Sequence, residues 1–69
     1  MIFVFKTSVH SQQQVKALKP HLDTVLPSAY WNFDLTDRDR ILRIDCEDNV
    51  VSIITALLHR HSFSCEELM

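Results

Sequence analysis

Apolar and polar positions alternate along this chain with two periods, and each change of period marks a new element. Residues Ile2–Thr7 have the two-residue period of a strand, with both phenylalanines on the face predicted to be buried. From Ser11 to about Val25, apolar residues recur at spacings of 3, 4 and 3, the stripe of an amphipathic helix. We expect Ser11 to be its N-cap and Pro20 to kink or split it.

The second half of the chain contains three further strand patterns and one further helical pattern. The runs Trp31–Leu35 and Leu42–Cys46 alternate like half-buried strands, and the polar turn Thr36–Asp39 between them predicts a hairpin. Asp48 is then the expected N-cap of a second helix, which runs to about Leu58 with apolar residues at helical spacing. A last strand is predicted over residues 63–68. Because the chain has no glycine, left-handed backbone positions are expected at Asn, Asp, His or Ser.

The predicted element order, β-α-β-β-α-β, indicates a single α+β domain over residues 1–69 with the ferredoxin-like fold. We expect an antiparallel sheet of order 4-1-3-2 with both helices on one face. Cys46 and Cys65 would then lie about 9.5 Å apart on strands that flank the first strand, too far for a disulfide. Three loops would meet at one end of the molecule, bringing His10 close to His59 and His61.

Composition excludes several classes of function. The chain of 69 residues is 46% hydrophobic and 23% charged, as in ordinary globular domains, and its net charge of −2 comes without a basic stripe. We therefore expect no nucleic-acid partner. The sequence shows no secretory leader and no run of membrane-spanning length, so we expect a cytoplasmic protein without a membrane partner. No nucleophile with an adjacent base and orienting acid emerges, so we expect no enzymatic activity.

Several segments, in order and spacing, resemble the heavy-metal-associated domains of small copper chaperones and metal-transporting ATPases. These are Phe3-Val4-Phe5-Lys6-Thr7, Val15-x-x-Leu18-x-Pro20-x-Leu22, Trp31-x-Phe33-Asp34-Leu35, Ile41-Leu42-Arg43-Ile44, and the helix Val51 to Leu58 followed by Phe63-x-Cys65-Glu66. Ser62 stands where that family usually has glycine. The resemblance implies the same fold, and it implies that the functional residues lie in the loop joining the first strand to the first helix.

In that family the loop carries Met-x-Cys-x-x-Cys, whose two thiolates bind a soft metal ion. Here Val9 stands at the methionine position, and Ser11-Gln12-Gln13-Gln14 replaces the Cys-x-x-Cys, with Ser11 and Gln14 at the two cysteine positions. A hydroxyl and a carboxamide are poor ligands for Cu(I). The resemblance therefore implies a scaffold whose thiolate site is degenerate, and we expect no bound metal or cofactor.

Two alternatives keep a metal-carrier function open. His10 with His59 or His61 would offer imidazole ligands for copper, zinc or nickel, and Cys65 would offer a thiolate. The competing interpretation is that the histidines are exposed polar residues, those at the end of the second helix facing its dipole, and that Cys65 is an inert buried thiol.

The leading hypothesis is a non-enzymatic interaction module. Tyr30 and Ile41, together with Ile2 and Val4, fall on the sheet face away from the helices, which is a considerable apolar content for an exposed surface. Such a face suits a protein partner or self-association.

Overall fold

The computed structural model describes residues 1–68, which form one four-stranded antiparallel sheet and two helices. The elements are β1 Ile2–Thr7, α1 Gln12–Val25, β2 Tyr30–Asp34, β3 Ile41–Asp45, α2 Val51–Arg60 and β4 Cys65–Leu68. The strands lie in the order β2-β3-β1-β4, so β1 and β3 are central. This is the ferredoxin-like arrangement predicted from the order of the patterns.

The core lies between the sheet and the helices. Alternate side chains of the central strands point inward, and they pack against one stripe of each helix. The fully buried members are Phe5, Leu42 and Ile44 from the sheet, Leu18 and Leu22 from α1, and Ile54 and Leu58 from α2. Because the core uses only one face of the sheet, the other face has no helix over it.

Helix α1 starts as predicted. The Oγ of Ser11 accepts a hydrogen bond from the backbone N–H of Gln14 at 3.1 Å, and the Gln14 side chain accepts one from the N–H of His10 at 2.9 Å. This reciprocal pair follows the logic of a capping box. Pro20 does not split the helix, which is continuous over Gln12–Val25.

The predicted N-cap of α2, Asp48, is wrong. The N-cap is Val50, which makes no side-chain capping hydrogen bond, and the Oδ1 of Asn49 accepts a hydrogen bond from the N–H of Val51 at 3.0 Å. The carbonyl of Asp48 accepts from the Cys46 thiol at 3.1 Å, so this residue belongs to the turn that leaves β3. Asn49 precedes Val51 by two residues, which places its side chain within reach of the first helical N–H groups.

The end of α2 is a Schellman motif built without glycine. Ser62 adopts a left-handed backbone with φ of 69°, its N–H donates to the carbonyl of His59, and the N–H of Phe63 donates to the carbonyl of Leu58 at 2.9 Å. Because the N–H of Phe63 still takes part in the hydrogen bonds that end α2, β4 begins at Cys65 and not at the predicted residue 63.

The other left-handed residue lies outside the predicted set. Arg40, with φ of 50°, occupies the turn between β2 and β3, and its guanidinium donates to the carbonyl of Leu35 at 2.9 Å. That contact compensates for a backbone conformation that a side chain with a Cβ normally avoids.

Two further positions differ from prediction. Ile41, expected on the exposed face, is only 5% exposed, although it lies outside the main core. We attribute this to Lys6, its neighbour across the sheet, whose ammonium lies 3.8 Å from Asp39 and draws its apolar stem alongside Ile41. Cys46, expected to be the last residue of the third strand, lies just past β3, where it is half-buried and packs against the core. Both cysteines are free, as predicted.

Candidate functional site

Three connections meet at the end of the sheet where β1 finishes, as predicted. The hydroxyl of Thr7 donates to the carbonyl of Arg40 in the β2–β3 turn at 2.6 Å and accepts from the N–H of Val9 at 3.2 Å. Ser8 exchanges hydrogen bonds with Ser64 in the α2–β4 connection, at 2.9 Å and 3.3 Å. The buried Thr7 therefore ties β1 and its following loop to the hairpin.

The loop where the resemblance would place a thiolate site offers no free ligand of that kind. Val9, at the methionine position, is 0% exposed and belongs to the core. The Ser11 hydroxyl and the Gln14 carboxamide are both engaged in capping α1. Ser11 and Gln14 start helix α1, and Val9 packs into the core just before it.

The proximity of His10 to His59 or His61 stays a prediction. His10 is exposed, with its Nδ1 3.3 Å from the carbonyl oxygen of Ser8, and His59 is exposed in the last turn of α2. The ring that packs against His61 is that of His21, with ring centroids 4.3 Å apart and planes inclined by 45°. His21 was not a predicted site residue. The sequence feature that could have identified it is its position beside the apolar stripe of α1, three residues after Leu18 and directly before Leu22.

Cys65 is a buried thiol that is not activated. Burial raises the pKa of the Cys65 thiol, an effect that a hydrogen bond with Thr55 only partly opposes. The Cys65 sulfur is therefore held protonated, and a thiol in that state is a weak nucleophile and a weak metal ligand. Within residues 1–68, no three His, Cys, Asp or Glu side chains lie close enough together to hold a metal ion.

The outer sheet face, meaning the side chains that point away from the helices, is the largest feature that the core does not use. The strand registers arrange it in three rows across the sheet: Tyr30, Asp45 and Ile2; then Asn32, Arg43, Val4 and Leu68; then Asp34, Ile41, Lys6 and Glu66. The first two rows carry the exposed apolar side chains. Ile2 is 66% exposed, Tyr30 82% and Leu68 38%.

We call Ile2, Val4, Tyr30 and Leu68 the apolar patch. Five large hydrophobic side chains are exposed in the described part of the chain, and three of them belong to this patch. A shallow depression of about 160 Å³ lies between Ile2 and Tyr30. It adjoins an open groove of about 810 Å³ at the end of the sheet, with Tyr30 and Asp45 lining both. Asp45 lies between Tyr30 and Ile2 in the first row, and Arg43 lies between Asn32 and Val4 in the second, so Ile2, Val4 and Leu68 are neighbours and Tyr30 lies across β3 from them.

Charges of both signs surround the patch. Arg43 lies 3.9 Å from Asp34, and the N-terminal ammonium lies 3.8 Å from Asp45. Both pairs are solvent-exposed, so each contributes little to stability and is free to exchange partners. The outer face consequently has no dominant sign that would repel a similar surface.

Across residues 1–68, neither helix has the length and apolar character needed to span a bilayer. No family model, curated protein or solved structure matches the chain. The resemblance to heavy-metal-associated domains stays a prediction, and any function has to be argued from the side chains described above.

Proposed function

We propose that this protein is a non-enzymatic interaction module that associates with a second copy of itself through the outer sheet face. The observation that carries the proposal is the concentration of exposed hydrophobic side chains on that face. Ile2 and Tyr30 are mostly exposed although the core is otherwise well buried. Exposed hydrophobic side chains concentrated on one face of a small protein mark an interaction surface.

The outer sheet face spans four strands of four to six residues each. At about 4.8 Å between strands and about 3.3 Å per residue this is a plane of roughly 300 Å², so we expect a contact of the weak, concentration-dependent class.

The chemistry of the face favours a second copy. A two-fold contact places the same surface on both sides, so a strongly charged face would repel itself. Here Arg43, Lys6 and the N-terminal ammonium face the carboxylates of Asp34, Asp45 and Glu66, and the apolar patch lies beside them. Rotation by a two-fold axis then allows unlike charges to meet around apolar contacts.

The loop chemistry supports a role that does not depend on a thiolate metal site. On our proposal the scaffold is that of a heavy-metal-associated domain in which Ser11 and Gln14 serve helix capping.

Sedimentation equilibrium tests the proposal. The wild-type protein is measured from about 5 μM to about 1 mM, a range that spans association free energies typical of weak and moderate dimers. The variants Ile2→Lys and Tyr30→Lys each place a charge in the patch. Ile53→Lys is the matched control, because Ile53 is 50% exposed but lies on α2.

We expect the wild type and Ile53→Lys to dimerise with increasing concentration, and both patch variants to remain monomeric at the highest concentration. Circular dichroism establishes that the variants are folded. A wild-type protein that stays monomeric over the whole range contradicts the proposal, and so does equal weakening by Ile53→Lys.

A further inference from the structure

The contact between His21 and His61 joins two elements that are distant in sequence. His21 lies in α1 and His61 is the C-cap of α2, and their ring centroids are 4.3 Å apart. His21 is exposed and His61 is half-buried, so water and small ions reach the pair. Neither the outer sheet face nor the core requires two imidazoles at this place.

We propose that His21 and His61 form a two-imidazole site for a divalent transition-metal ion of the zinc, nickel or copper(II) class, which clips α1 to α2. Imidazole nitrogen is a preferred ligand for these ions. Two nitrogens bound to one zinc ion at about 2.0–2.1 Å must lie within about 3.5 Å of each other. Rings with centroids 4.3 Å apart reach that separation by turning about χ2, a torsion with a broad and shallow profile in histidine.

The backbone under both rings is already fixed. His21 precedes the fully buried Leu22 in a continuous helix. The N–H of His61 donates to the carbonyls of Leu57 and Leu58 at 3.3 and 3.1 Å. Metal binding therefore has to order only the χ1 and χ2 torsions of the two side chains, which lowers its entropic cost.

The position also suits a positive charge. His61 caps the carboxyl end of α2, where the helix dipole presents its negative end. No third His, Cys, Asp or Glu side chain joins the pair to complete a coordination sphere within residues 1–68. Water or another external donor would complete it, so the site is an exchangeable clip and not a closed structural centre.

Zn(II) alone is the probe, added to reduced protein with thermal unfolding and NMR as the readouts. Because a ligand bound by the native state stabilises it by mass action, the unfolding midpoint should rise by about 10 °C or more when free Zn(II) is 100 times its Kd. The ring signals of His21 and His61 should shift together at one equivalent, and those of His10 and His59 should not.

The variants His21→Gln and His61→Gln should each weaken Zn(II) binding by about tenfold or more, because chelation is lost when one ligand is removed. His59→Gln and His10→Gln are the matched controls and should bind as the wild type does. Cys46→Ser should also bind unchanged, which excludes the half-buried thiol as a ligand.

Three results would each overturn the site: no midpoint shift at millimolar Zn(II), a shift that survives in both His21→Gln and His61→Gln, or an equal loss in His59→Gln. The ring shifts are measured on the wild type, so the proposal stays testable if a variant folds poorly.

Discussion

At the scale of single residues, Thr7 illustrates how one buried hydroxyl joins three connections at one end of a small domain. Its hydroxyl donates to the carbonyl of Arg40 and accepts from the N–H of Val9, and its side chain is nearly inaccessible. The connections meet there without glycine. Positioning of the loop that precedes α1 therefore depends on a side chain that no ligand would contact.

We predict that Thr7→Val lowers the free energy of unfolding by about 1–3 kcal/mol, because the buried N–H of Val9 loses its acceptor while the volume is kept. Urea unfolding followed by circular dichroism measures the change. Thr24→Val is the matched control, since that exposed hydroxyl donates to the carbonyl of Pro20 and should cost less than about 1 kcal/mol. Equal losses of unfolding free energy in the two variants would show that the buried Thr7 hydroxyl stabilises the fold no more than an exposed hydroxyl does.

Prediction from sequence succeeded at residues whose role is local. The Ser11 cap follows from the residue type and its distance from the first apolar position. Asp48 and Asn49 are both good capping residues in succession, so the choice between them depended on the turn that leaves β3. The burial of Ile41 depends on a neighbouring strand, which alternation within its own strand does not encode.

At the scale of elements, Pro20 lies inside a helix that remains whole. The missing N–H of this proline leaves the carbonyl of Lys16 without its helical donor. The hydroxyl of Thr24 donates to the carbonyl of Pro20 at 2.8 Å, one turn further along. Helix α1 is thus held by the burial of Leu18 and Leu22 on its inner face, which outweighs the cost of the proline.

We predict that Pro20→Ala raises the free energy of unfolding by about 1–2 kcal/mol. An interior proline costs about 3 kcal/mol relative to alanine, and part of this is offset because proline also restricts the unfolded chain. Gln13→Ala, an exposed change in the same helix, should stay within about 0.5 kcal/mol in urea unfolding. Destabilisation by Pro20→Ala would show that the proline fits this helix without cost.

Asp34, the last residue of β2, carries a carboxylate whose ionisation affects stability. The hydroxyl of Thr36 donates to the Oδ1 of Asp34 at 2.7 Å, and this bond, aided by the backbone N–H groups of Asp37 and Thr36 and by the charge of Arg43, holds the pKa of Asp34 below its ordinary value of 3.8. The lowered pKa means that the ionised form is favoured by folding. Its contribution is therefore present above about pH 4 and is lost as the pH falls through the folded pKa.

We predict that the free energy of unfolding in urea falls less for Asp34→Asn than for the wild type as the pH decreases from about 4 to about 2. Thr36→Val should raise the pKa of Asp34 towards 3.8, as followed by carboxyl carbon NMR, because it removes the largest cause of the shift. If the free energies of unfolding of Asp34→Asn and the wild type fall equally over this pH range, the Asp34 carboxylate makes no pH-dependent contribution to stability.

Element types and their order were predictable because long apolar runs keep a clear period. The contact between His21 and His61 was not, since it depends on how α1 is rotated against α2. The sequence placed His61 near His10 by grouping loops at one end. The structure instead pairs it with a residue from within a helix.

At the scale of the whole molecule, the fold separates two surfaces. The helices cover one sheet face and supply the core, while the other face carries the apolar patch. The element order alone predicted this separation, because the ferredoxin-like topology places both helices on one side. It did not predict that the exposed side chains would gather at one end of that face, since this follows from the strand registers.

The central claim is that the outer sheet face joins two copies of the chain, and amide NMR spectra of the wild type over a dilution series test it most directly. Between about 1 mM and about 10 μM, a range set by moderate affinities, we predict concentration-dependent shifts at Ile2, Val4, Tyr30 and Leu68, and constant signals along the exposed side of α2, including Ile53. Spectra that are identical at every concentration, or shifts confined to α2, would contradict the account.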